Sequence, residues 1–288
     1  MFFRIIIIAL CLILGACFVA PSHAQSLTLL GPQSAEDVSQ SYFIALLDKA
    51  LSQQGPNPYK FNVTNELGPT QGRTIQLLSS GLIDVFWMGT SVDREKKFKA
   101  IKIPLFKGLL GYRVSIIHQQ QVSRFESLNE SQFRKLIACQ GEHWPDTQIL
   151  LHNQYEVMPI ARFELMFDMV DRGRCDYFPR AIFEGYGELE KAQARLPELT
   201  IYDNVILHYP FPIYFFVDKS RAELAAKIES GLEAMIDSGE HEALMKRHPM
   251  TRHLFPIEQW QNKTIYRLDN PFLDRKIDLT VKRYWFQL

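Results

Sequence analysis

One unit occurs twice in this chain: a helix-patterned stretch, a glycine, two residues, an aspartate and a short β-prone run. The first copy runs from Ile75 to Trp87 around Gly81 and Asp84, and the second from Leu165 to Phe178 around Gly173 and Asp176, 92 positions later. In each, apolar residues at helical spacing stop at a glycine suited to the left-handed end of a helix, and a strand run follows almost at once. That is the αβ half of a βαβ crossover. Two of them in one chain imply two similar α/β lobes, with the function lying between them.

The chain opens with the layout of an export signal. Met1 to Ala24 has one positive charge at Arg4, an apolar run from Ile5 to Leu14, and the stretch Pro21-Ser22-His23-Ala24. Small residues at Ser22 and Ala24 fit cleavage before Gln25, which assigns residues 1–24 to a signal peptide and the mature chain to the periplasm. Two other readings of the run stay open: an uncleaved anchor, and a lipoprotein modified at Cys17 after Leu14-Gly15-Ala16. A first strand at Leu27 leaves little tether behind Cys17, so plain secretion is the expected route. The 264 residues that remain carry 31 basic side chains (32 less Arg4) against 32 acidic ones. Such a balance gives no handle for nucleic acid or anionic lipid. With 47% hydrophobic residues there is material for two lobe-sized cores, and no second apolar stretch reaches membrane-spanning length. A soluble monomer is expected.

Cleavage leaves two cysteines, Cys139 and Cys175. An even number in an oxidising compartment invites a disulfide. If Cys139 ends one strand and Cys175 begins a parallel neighbour, however, they stand about three residues out of step, roughly 10 Å, which is beyond bridging distance. Spacing alone leaves the pairing open.

Leu27 to Leu30 reads as a buried strand closed by Gly31-Pro32, Ser41 to Leu51 as a helix, and Tyr59 to Val63 and Val85 to Met88 as further strands. Gly108 and Gly111, just before the β-prone Val114 to Ile117, mark a crossing between lobes. Tyr209-Pro210-Phe211-Pro212, whose prolines restrict the backbone, marks the return. Lobe one is then expected over 25–109 and 212–254, lobe two over 110–211, and the aromatic-rich 255–288 as an extension packed on the body.

These pieces, in this order, resemble the extracellular solute-binding proteins of the amino-acid type. The residues that carry the likeness are Leu78 to Val85, Gly89-Thr90-Ser91-Val92-Asp93-Arg94-Glu95-Lys96-Lys97-Phe98, Gly173 to Asp176, Phe216 to Lys219 with the helix that follows, and Leu232 to Gly239. The resemblance implies an α/β, two-lobed type II periplasmic-binding fold, each lobe a mostly parallel sheet flanked by helices. It also implies a small-molecule ligand held by hinge closure, and an ABC permease or a membrane sensor as partner. In that family the loop after the first Gly-x-x-Asp strand holds a ligand carboxylate through a small hydroxyl residue and an arginine, which here places Thr90, Ser91 and Arg94. The chemistry fits, since a guanidinium offers carboxylate a planar fork.

Lobe two departs from the family's pattern. A helix start built on Gln140 to Thr147 takes the place of the usual Gly-Thr-Thr sequence, with Asp146 or Thr147 as N-cap and Trp144 as a stacking surface. Where the family puts an acid for the ligand's ammonium, the chain has Tyr177-Phe178-Pro179-Arg180, with Glu184 further on and out of register. An arginine there repels an ammonium. The residues therefore leave open a zwitterionic amino acid and a carboxylated, aromatic or otherwise anionic ligand. Trp144, Asp146, Thr147, Tyr177 and Arg180 are the expected lobe-two contacts.

No Gly-x-Ser-x-Gly elbow, P-loop or Gly-x-Gly-x-x-Gly fingerprint is present. His241-Glu242 starts like a zincin motif but Met245 stands where the second histidine belongs, and His248 and His253 read as helix-end histidines. No cofactor, metal or catalytic residue is expected, with a pocket acid such as Asp146 or Glu184 acting in a dehydration as the minor alternative.

Overall fold

The computed structural model describes residues 25–32, 39–64 and 71–288, so the expected export signal lies outside the described residues. Lobe one begins with β1 (Gln25–Leu29), α1 (Gln40–Leu51), β2 (Tyr59–Val63), α2 (Gln71–Ser79), β3 (Phe86–Gly89), α3 (Val92–Lys97) and β4 (Lys99–Ile101). The chain then enters a second sheet through β5 (Tyr112–His118), α4 (Val122–Glu126), α5 (Glu130–Phe133), β6 (Ile137–Gly141), α6 (Pro145–His152), β7 (Glu156–Ile160), α7 (Leu165–Asp171), β8 (Tyr177–Ala181), α8 (Gly185–Gln193) and β9 (Leu199–His208). It returns with β10 (Ile213–Val217), α9 (Ala222–Asp237) and α10 (Glu240–Arg247), and then adds β11 (Thr264–Arg267).

In lobe one β1 pairs parallel with β2, and β10 lies antiparallel between β3 and β4. A parallel bridge from Leu29 to Val85 joins the two groups. Lobe two is one sheet in the order β11-β9-β5-β8-β6-β7. Both sheets are covered on both faces, which is why β5, β8 and β10 are buried along almost their whole length. Leu77 and Leu78 of α2 cover one face of the first sheet, and Met166, Phe167 and Val170 of α7 one face of the second. The large shared core, from Leu46 and Leu232 to Ile149 and Tyr177, fills the other faces and runs through the junction between lobes.

The repeated unit has a structural cause. Gly81 and Gly173 take positive φ, 70° and 64°, and each closes its helix by the same pair of bonds. Leu82 N–H donates to the Leu77 carbonyl (3.0 Å) and Gly81 N–H to Leu78, while Arg174 N–H donates to Met169 (2.8 Å) and Gly173 N–H to Val170. Each aspartate then clamps the neighbouring parallel strand. Asp84 N–H donates to the Thr28 carbonyl and its carboxylate accepts from Thr28 N–H, both at 2.8 Å. Asp176 does the same with Ile137, at 2.8 and 2.7 Å. An arginine covers each carboxylate, Arg221 at 2.9 Å and Arg124 at 2.8 Å.

Cys139 and Cys175 are bridged, with Cα atoms 5.6 Å apart. The three-residue offset does not apply, because Cys175 does not lie in the sheet. Its N–H bonds the Met169 carbonyl at the end of α7, so the cysteine comes down onto β6 from the helix layer. Strand step measures distance within a sheet and says nothing of a residue above it.

Candidate functional site

The carboxyl ends of β3, β6 and β8 converge on a cleft between the lobes. Ser39, Phe43, Gln71, Trp87 and Arg94 line it from lobe one, Arg113, Trp144, Asp146, Arg180 and Glu184 from lobe two, and Leu110 and Phe211 at the crossings. About 70 Å³ of space remains inside.

Arg94 is the cation of the lobe-one wall. Ser91 caps α3 by accepting the Arg94 N–H at 3.3 Å, which aims the side chain inward. Arg94 is 8% exposed. Its Nη1 donates to the Gly89 carbonyl at 2.5 Å, and its Nη2 to Gln71 Oε1 and, across the cleft, to the His143 carbonyl at 3.4 Å. All three partners are neutral, and no carboxylate of the described residues pairs with it. Burial pulls its pKa down to about 10, with Asp146 opposing from across the cleft. A buried guanidinium answered only by neutral oxygens is short of an anion.

The lobe-two wall is built the other way. Arg180 donates Nε and Nη2 to the two carboxylate oxygens of Glu188, each at 2.6 Å, and Glu184 Oε2 lies 2.8 Å from Nη2. Trp144 and Phe178 flank the same guanidinium, 5.1 and 5.3 Å from ring centroid to Cζ. Arg113 pairs with Asp146 Oδ1 at 2.5 Å, and the Tyr209 hydroxyl donates to the same oxygen at 2.5 Å. Burial works to lower the pKa of Arg180, but Glu184 and Glu188 outweigh it and hold the group above the usual arginine range. For Arg113, Asp146 prevails over burial in the same way. Three carboxylates, Asp146, Glu184 and Glu188, thus face the two guanidiniums of this wall. The repulsion expected of Arg180 is cancelled where it stands.

Of the eight residues expected to touch ligand, the structure brings Arg94, Trp144, Asp146 and Arg180 together in the cleft. The other four lie elsewhere. Thr90 is buried, its N–H on the Pro212 carbonyl and its hydroxyl on Glu95. Ser91 serves as the cap of α3, and the Thr147 hydroxyl donates to the Gly141 carbonyl at 2.8 Å. Tyr177 starts β8 at the end remote from the cleft and packs against Phe125 and Phe133. Sequence reasoning missed Gln71, Phe43, Trp87, Phe211 and Arg113. Arg113 alone had a signal, as a charged residue at the head of the β-prone Val114 to Ile117.

No protein-family model matches the chain, and no curated protein sequence does. Solved structures match in fold. An amino-acid ABC transporter substrate-binding protein from Streptococcus pneumoniae, bound to L-arginine, superposes with a TM-score of 0.55 at 14% identity, over 77% of this chain and 93% of its own. A histidine kinase sensor domain similar to periplasmic binding proteins gives 0.54 at 15% identity, over 77% and 94%. An ancestral amino-acid-binding protein, a precursor of cyclohexadienyl dehydratase, gives 0.54 at 16%, again over 77% and 94%. Two sheets covered on both faces, a cleft between them, and these superpositions agree: the chain has the two-lobed type II periplasmic-binding fold.

Proposed function

We propose that this chain is a periplasmic solute-binding protein that captures a small carboxylated ligand between its lobes, closing about the crossings at 108–111 and 209–212, and delivers it to an ABC importer. The observation that carries the reading is Arg94, buried at the cleft with neutral partners only, opposite a wall that brings the carboxylates of Asp146 and Glu184 to the cleft. A ligand carboxylate on Arg94 supplies the missing anion. A cationic group on the same ligand, turned toward Asp146 and Glu184, meets carboxylates on the far wall, so a zwitterion fits better than the sequence pattern around Arg180 implies. Contacts on both walls give closure the differential binding it needs.

A periplasmic sensor would use the same cleft and the same closure, and a histidine kinase sensor domain stands among the structural neighbours. Adjacent permease and ATPase genes favour import, and an adjacent kinase or cyclase favours sensing. A dehydratase role fits less well, because Asp146 and Glu184 are already engaged by Arg113 and Arg180, and no acid and base stand paired beside them. Calorimetry against amino and organic acids, guided by mass spectrometry of whatever copurifies, tests the proposal. Arg94→Ala is expected to weaken the carboxylated ligand by at least about a hundredfold, while an unchanged affinity in a folded variant removes Arg94 from the site.

A further inference from the structure

Two crossings suffice to join two lobes, yet this chain passes between them four times. The extra passages belong to the C-terminal extension. Beyond α10 it runs to lobe two, where β11 pairs in parallel with β9. It then turns back at residues 268–274 to lobe one, and its end settles there: the Tyr284 hydroxyl donates to Glu233 of α9, and Phe286 N–H donates to the Lys107 carbonyl beside the first crossing.

The return passage is short and tied at both ends. On lobe two, Asn153 at the end of α6 grips Asp269 through two bonds, Asn153 Nδ2 to the Asp269 carbonyl at 2.8 Å and Asp269 N–H to Asn153 Oδ1 at 2.9 Å. On lobe one, the Phe272 carbonyl accepts from Val92 N–H, the first residue of α3, at 2.9 Å. Between the anchors Asn270 donates to the Pro210 carbonyl of the second crossing at 2.8 Å. Only Asn270 and Pro271 separate Asp269 from Phe272, so the two anchored residues can stand no more than about 11 Å apart at full extension. The strap ties α6, whose first turn carries the cleft residue Asp146, to α3, which carries Arg94.

We infer that residues 269–272 form a latch that limits opening of the cleft. Moving α3 away from α6 by more than the slack in this strap breaks either the Asn153–Asp269 pair or the Val92–Phe272 bond. The lobes are therefore held near one another before any ligand arrives, and part of the cost of closure is met by the fold. The inference rests on the hinged reading above, but its test uses no ligand, so loss of the Arg94 assignment leaves it standing and its own failure leaves Arg94 untouched.

Spin labels at Leu82→Cys in lobe one and Leu165→Cys in lobe two, both exposed positions, report the separation of the lobes by pulsed dipolar spectroscopy. Four glycines inserted between Asn270 and Pro271 keep every anchor and add up to about 14 Å of slack. Asn153→Ala instead releases the lobe-two anchor. Both variants are expected to shift the label distances of the unliganded protein to longer values. Unchanged distances in the folded insertion variant overturn the latch. If the insertion prevents folding, Asn153→Ala decides by the same reading.

Discussion

Arg94 is held by the Gly89 and His143 carbonyls and the Gln71 side chain, a setting that spends hydrogen bonds on keeping a buried positive charge in place. Its motif position made it legible. Around Arg180 sequence order misled, because Glu188, eight residues on, folds back through α8 to neutralise it, a pairing set by packing and not by spacing. Gln71, Phe43 and Trp87 had no signal, since only the approach of α1, α2 and β3 brings them to one cleft. Titration at a buried residue gives a test apart from the cleft. His241 on α10 is 1% exposed, and burial, assisted by the nearby Lys107, lowers its pKa from 6.5 to about 4. Between those values the unfolded chain takes up a proton that the folded chain refuses, so stability falls as pH drops through that window, by roughly 2 kcal/mol at pH 5. His208, also lowered to about 4 by burial, adds a second contribution of the same sign. His241→Met should lose distinctly less Tm between pH 7 and pH 5 than the parent, and an identical loss would rule the histidine out as a source of acid sensitivity.

At the scale of elements, the Gly-x-x-Asp unit was readable because it is local: a helix stop, a turn and a clamp on the adjoining strand lie within a few residues. β10 was readable too, as an unbroken apolar run between Pro212 and Asp218. The ten-residue β9 was not, since Thr200, Asp203, Asn204 and His208 break its pattern, and only its place between β5 and β11 makes it a strand. The cysteine pair shows the same limit, as the helix layer that delivers Cys175 is a tertiary fact. Their bridge closes 36 residues of lobe two across β6, α6, β7 and α7, a span whose loop-closure entropy corresponds to about 4 kcal/mol. Replacing both cysteines with alanine should lower the unfolding free energy by that order. Added reductant should lower the parent's midpoint and leave the double variant unmoved. A parent indifferent to reductant after full thiol exposure would contradict a stabilising bridge.

The whole molecule poses a problem of access. About 70 Å³ lies between the lobes, far below the several hundred cubic ångström of an ordinary ligand cleft. Arg94 already reaches His143 across the gap, and a β-carbon placed on Gly72 of α2 would sit 3.4 Å from the His143 ring. On the proposed reading, a ligand larger than a few atoms enters through a more open arrangement, and the mouth lies where α2 meets the loop before α6. That makes entry blockable by one bond. A Gly72→Cys, His143→Cys pair puts one thiol on each side of the mouth, where oxidation can join them. Oxidised before ligand is added, this variant should show no heat of binding. Mild reduction should restore affinity, because the new bridge is exposed while Cys139 and Cys175 are buried in lobe two. Full affinity in the oxidised protein would mean that ligand reaches Arg94 without the lobes parting, and opening would then have no part in capture.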